Sequence, residues 1–281
     1  MKKTQLSKTV FFVCVAVAAV ACVILSFLLV SGYDAALKLV AADLPGWVIP
    51  SLYALFGGFA LFTVITIPFF PKNGGLTPEP SPILPAVGSV IMIAAALLFC
   101  LSAVLSFFPG DRICELMLKK ASGSRSIVFA SYLAKFGTYL AVVAIAYPCL
   151  LIITKKSNAA FAMLASLWLL ALALCVYFDI ETPMNDPVRL IRIVGCSASA
   201  AALLTETRAG LGRLTKKFTL TFTSFLLPLV LAPALSTLML YVCGVCSPDS
   251  WLFASAAMLG IGIITLSRLA SAAFAKDGES A

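Results

Sequence analysis

The chain contains no histidine. That absence alone excludes a Ser-His-Asp triad, an H-E-x-x-H zinc site and bis-histidine haem ligation. Charge is scarce as well. Only 11% of the 281 residues are charged, against about 25% in a soluble domain, which is too few to cover a water-facing surface. A phosphate-binding G-x-x-x-x-G-K-[ST] loop is missing, and no carboxylates cluster as Mg²⁺ ligands for phosphoryl transfer. These absences argue against an enzyme. No cofactor and no metal site is expected.

What is present is apolar. Hydrophobic residues make up 62% of the chain and the mean hydropathy is +1.07. Lipid is the solvent that suits such a composition. Eight spans of about 20 residues use more than half the chain, so no separate soluble domain of ~100 residues fits beside them. Apolar runs fall at 10–31, 47–70, 84–108, 126–153, 158–178, 187–207, 219–243 and 251–268. The first is too long for the 7–15-residue core of a signal peptide and reads as an uncleaved span. The expected architecture is therefore all-α: a polytopic transmembrane helical bundle of about eight spans in the cell membrane, forming a single integral membrane domain over residues 1–281.

The net charge of +8 does not indicate nucleic acid, because no basic stretch is interleaved with stacking aromatics. Lys and Arg sit mostly in short loops, as orientation determinants do. With eight spans and a cytoplasmic N-terminus, the inside segments hold Lys2, Lys3, Lys8, Lys72, Lys155, Lys156, Arg208, Arg213, Lys216, Lys217, Arg268 and Lys276. The outside segments hold Lys38, Arg112, Lys119, Lys120 and Arg125. That imbalance makes the polar sixth run a true span and puts both termini in the cytoplasm. Loop 109–125 is the exception. It is basic yet falls outside, and it reads as an amphipathic surface helix with Glu115 and Lys119 spaced to pair; a miscounted span upstream is the rival explanation. Loop 33–46 reads as a second interfacial helix, capped by Asp34, with Asp34 and Lys38 four apart. Trp47 and Trp251 fall at outer boundaries, as an aromatic belt requires. Trp168, at mid-span, is expected to pack between helices.

Candidate functional residues are the charges that fall inside spans. Lys135 lies roughly 14 Å deep at 1.5 Å per residue, where a charge costs at least ~2.5 kcal/mol. It must face a partner or cavity, with Asp179, Glu181 and Asp186 as candidate partners. Arg192 lies near the same level. Arg192, Ser199 and Glu206 recur at intervals of seven and form one stripe on the sixth span, flanked by Gly195 and Ala202. The stripe suits a solute or ion path, and equally a tightly packed central helix with paired end charges. Pro228 and Pro233 in the seventh run, Pro50, Pro148 and Gly57-Gly58 mark helices open to interruption, a pointer to binding sites in transporters. Cys243-Gly-Val-Cys246 has dithiol spacing, with Cys114 as a conceivable relay. The bland reading is two incidental thiols in a chain whose Cys14, Cys22, Cys100, Cys149, Cys175 and Cys196 serve as small hydrophobes.

The segment Phe178-Asp179, Pro183-Met184-Asn185, Pro187, then Glu206, Arg208, Leu211 and Gly212 resembles an uncharacterised family of polytopic membrane proteins from Gram-positive bacteria. The resemblance spans some 35 residues and implies no activity. The local chemistry fits independently: Asn185 or Asp186 can cap the sixth span with Pro187 in its first turn. Glu206 and Arg208, two apart, point to different faces and need separate partners. Asp179, Asn185, Arg192, Glu206 and Arg208 would flank a site on this helix. Three functions follow: a small-solute or ion transport component, a structural or regulatory subunit of a membrane complex, or a membrane thiol oxidoreductase using Cys243 and Cys246. The expected partners are membrane lipids and a membrane-protein partner or second copy of the chain, with no nucleic acid.

Overall fold

The computed structural model describes residues 2–34, 39–40, 44–66, 136–137, 139–178, 186–243 and 250–274, with a few helical positions between 86 and 97. The protein is helical: α1 (Lys2–Ser31), α2 (Val48–Thr66), α3 (Ala146–Thr154), α4 (Ala159–Tyr177), α5 (Pro187–Gly210), α6 (Lys216–Val242) and α7 (Ser250–Phe274). The last four are long and apolar enough to cross a membrane. This is a helical membrane protein.

The helix starts are set by side chains that satisfy backbone N–H groups left open in the first turn. Asn158 Oδ1 accepts from the Ala160 and Phe161 amides at 3.1 and 3.4 Å to start α4. Asp186 Oδ1 accepts from Val188 N at 3.2 Å, with Pro187 in the first turn of α5. Thr215 Oγ1 accepts from Phe218 N at 3.4 Å to start α6.

α5 packs against α4, α6 and α7; α1 packs against α6 and α2; and α3 lies on α4. One large core, including Trp168, Leu203, Val230 and Ile261, fills the middle. A small core of Val15, Ala18, Leu220, Leu227, Leu269 and Ala272 joins α1, α6 and α7 at one end. Another, with Leu29, Val30, Val48, Leu52, Val188, Ile191 and Leu240, joins α1, α2, α5 and α6 at the other. These two clusters fix the chain directions: α1 and α6 run toward the Val188 end, and α5 and α7 run back.

Two expectations are corrected here. Residues 33–34 do not begin an interfacial helix: Tyr33–Asp34 pairs antiparallel with Leu39–Val40, Tyr33 opposite Val40. Asp34 is thus a strand residue and not an N-cap. β-branched and aromatic Val40 and Tyr33 suit a strand pair better than a helix turn. Lys38 lies outside the described residues. The second correction is α6, which runs unbroken through Pro228 and Pro233. Both prolines are buried, and packed neighbours hold a membrane helix together across the missing donors. Trp168 is fully buried, packed between helices as its mid-span position implied, while Trp47 is exposed.

Candidate functional site

The stripe on α5 faces inward. Gly195, Ser199, Ala202 and Glu206 are all buried, and Arg192 is half-buried. Space forces the small residues. A methyl on Gly195 would lie 2.8 Å from Pro233 Cβ and 3.2 Å from Met258 Sδ, so the Pro233 ring of α6 fills the notch that glycine leaves. Gly262 of α7 likewise meets Leu231, at 2.5 Å from an added methyl.

At the end of the stripe sits a buried ion pair. Arg268 on α7 donates from Nε to Glu206 Oε1 at 2.8 Å and from a terminal nitrogen to Oε2 at 2.9 Å. Ser157, just before α4, donates its hydroxyl to Oε2 at 2.9 Å. Glu206 and Arg268 are both nearly inaccessible. The fork-shaped guanidinium matches the carboxylate edge, the strongest geometry for such a pair. Tyr147 of α3 is fully buried, and its hydroxyl faces Glu206 and Ser157 without reaching hydrogen-bond geometry with any described residue.

Arg208, two residues on, points elsewhere. It is exposed, and its guanidinium carbon stands 4.1 Å above the Phe218 ring, a cation–π contact. Phe218 in turn stacks on Phe222 at 5.0 Å. The separate faces expected for Glu206 and Arg208 are what the helix delivers.

At the opposite end, Asp186, Arg189 and Arg192 converge. Arg189 is buried and donates to the Tyr177 carbonyl, tying α5 to the end of α4. Burial pushes the Asp186 carboxyl up from its ordinary value, against the opposing pull of the Val188 amide and Arg192.

Ser157 apart, the hydroxyls of the bundle behave in two ways. Thr205, Thr207, Thr219, Thr265 and Ser271 donate to carbonyls three or four residues back in their own helices. Ser199 and Ser255 are buried and make no hydrogen bond to any described residue. An unmade bond of this kind costs about 1–3 kcal/mol.

Of the residues singled out in the sequence, Arg192 and Glu206 share the inner stripe and Arg208 sits on the exposed rim. Lys135, Asp179, Asn185 and Cys246 lie outside the described residues. Cys243 is an exposed free thiol at the end of α6. Among the described residues no three His, Cys, Asp or Glu gather into a metal site. Sequence reasoning missed Arg268, Ser157 and Tyr147. Arg268 carried one signal: it is followed by Leu-Ala-Ser-Ala-Ala-Phe274, which prolongs the helix past it and buries it. Comparison with protein families, with curated proteins and with solved structures finds no match to this chain.

Proposed function

We propose that this chain is an eight-span protein of the cell membrane, both termini cytoplasmic, that serves as a transport component for a small solute or ion. The observation that carries the reading is the Glu206–Arg268 pair, buried between two helices at one end of a polar stripe. Ionisable groups inside membrane helices face the bundle interior, pair with each other and mark solute or ion paths. Ser199, Ser255 and Tyr147 add buried hydroxyls with unused bonding capacity along the same interior.

The helix directions support the span count. α2 starts at the Val188 end, so it runs toward the Glu206 end. α3 also runs toward the Glu206 end, because Ser157 follows it there. A count of eight requires α2 and α3 to run the same way, with the apolar run 84–108 as a crossing between them. The Glu206 end is rich in cations, which favours the cytoplasm.

The test is flux. Reconstituted protein is screened against H⁺, Na⁺, K⁺ and amino-acid gradients. At least one gradient collapses faster than in empty vesicles, and Glu206→Gln and Lys135→Met each abolish most of that excess. Unchanged flux in both variants, or none in the wild type, overturns the reading. Reporter fusions within 33–46 and 109–125 report outside if the topology is right. A second reading, a structural or regulatory subunit, is favoured by the closed packing at Gly195 and Gly262; it expects no flux and a co-purifying membrane protein or second copy of the chain.

A further inference from the structure

The Glu206 end carries cations brought together by the fold. A methyl on Gly210 would lie 2.6 Å from the Ser157 carbonyl and 2.7 Å from Ala159 N. The end of α5 is therefore pressed against the α3–α4 connector with nothing between them. That contact sets Lys155 and Lys156 beside the rim that bears Arg208 and Arg213. The connector has a fixed shape: Lys155 closes α3 in the left-handed conformation at φ 56°, its N–H bonded to the Leu151 carbonyl at 3.0 Å. The rim does too, through the 2.9 Å bond from Arg213 N to the Arg208 carbonyl.

All four cations are exposed. Among the described residues none of the four is paired with a carboxylate, and Glu206, the acid described at this corner, is committed to Arg268. The Arg208 guanidinium carbon is seated 4.1 Å from the Phe218 ring centroid, and the side chain is exposed. A planar edge of N–H donors suits two oxygens of one phosphate. Exposed apolar side chains adjoin these cations: Ile153 is 75% exposed and Leu211 58%. A soluble anion has no use for them, whereas an acyl chain does.

We propose that this corner is a binding site for one anionic phospholipid. Its headgroup phosphate is held by Arg208 with Lys155, Lys156 and Arg213, and its acyl chain lies along Ile153 and Leu211. The proposal needs only a protein in a membrane and stands apart from the transport reading. It differs from the diffuse positive charge of an ordinary loop because it requires one oriented guanidinium.

The full-length protein in a zwitterionic detergent is titrated with phosphatidylglycerol or phosphatidylcholine, and retained lipid is counted by native mass spectrometry. One phosphatidylglycerol binds saturably and phosphatidylcholine does not. Lys155→Gln and Arg208→Gln each weaken binding about fivefold, the worth of one surface cation. Arg208→Lys and Phe218→Leu, which keep the net charge, weaken it as well. Equal retention of both lipids overturns the proposal. So does wild-type binding by both Arg208→Lys and Phe218→Leu, since charge number alone would then suffice. Soluble glycerophosphate is the last arm, and saturation at the same concentrations as the lipid overturns the lipid assignment. If Arg208→Gln fails to fold, Lys155→Gln on the exposed connector decides the charge arm.

Discussion

α4 and α5 are neighbours packed along each other, and they solve opposite problems. α4 has no charged residue between Ala159 and Tyr177, and it splits cleanly into two rows. Met163, Leu167, Leu170 and Leu174 are exposed, while Ala162, Ala165, Leu169, Leu172 and Val176 are buried. α5 carries Arg189, Arg192, Glu206 and Arg208, yet Ser199 and Glu206 are among its most buried side chains. In water the more polar helix would lie outside. In lipid the large apolar row faces the solvent, while polar groups turn inward to find partners and small groups to let backbones approach. Burial here is sorted by partner and by size.

Breaking that contrast most severely means removing one half of the ion pair. Arg268→Met leaves Glu206 buried and uncompensated, and should cost about 3–5 kcal/mol, read as a lower Tm in detergent. The double variant Glu206→Gln, Arg268→Met should recover most of the loss. If the double variant is as unstable as the single one, the pair is not what α5 depends on. Next in size is Gly210→Ala, whose methyl meets backbone on both sides and should cost about 1–3 kcal/mol. Asn158→Ala, at the start of the apolar helix, should cost about 1 kcal/mol as an N-cap loss. Ser199→Ala should leave stability unchanged or raise it slightly, because the hydroxyl has no bond to lose among the described residues. A fall in flux without a fall in Tm would then mark it as functional. Leu167→Ala, on the lipid-facing row, should change Tm least of all.

The Asp186 cap adds a pH-dependent term. Its folded carboxyl titrates above its unfolded value, so ionisation costs the folded state more. Stability from this group is greatest below the ordinary carboxylate range and falls as pH rises through the raised value. Asp186→Asn should flatten that slope in Tm measured against pH.

The helical membrane architecture was legible in length and composition, because a lipid-facing surface leaves a dense apolar signature in the chain. The cap of α5 was legible too, since Asp-Pro ahead of a small-residue run is a local signal. The partner of Glu206 was not. Arg268 reads as one more loop cation at the end of a run, and only packing of α5 on α7 brings the two together across 62 residues. The prolines of α6 misled for a related reason. In isolation they weaken a helix; against Gly195 the Pro233 ring is a packing piece. The strand pair at Tyr33–Val40 was missed because two-residue pairing leaves no alternation long enough to detect.

The spacing of the ion pair also sets an order of events during synthesis. Glu206 leaves the ribosome 62 residues before Arg268, an interval of roughly 3–12 s at ordinary elongation rates. For that time α5 holds a carboxylate whose principal partner has not yet been made. Ser157, 49 residues upstream, already exists and can receive it first. The serine is then the earliest ligand of the carboxylate and the arginine its final one, so the bundle closes at this end only when α7 arrives.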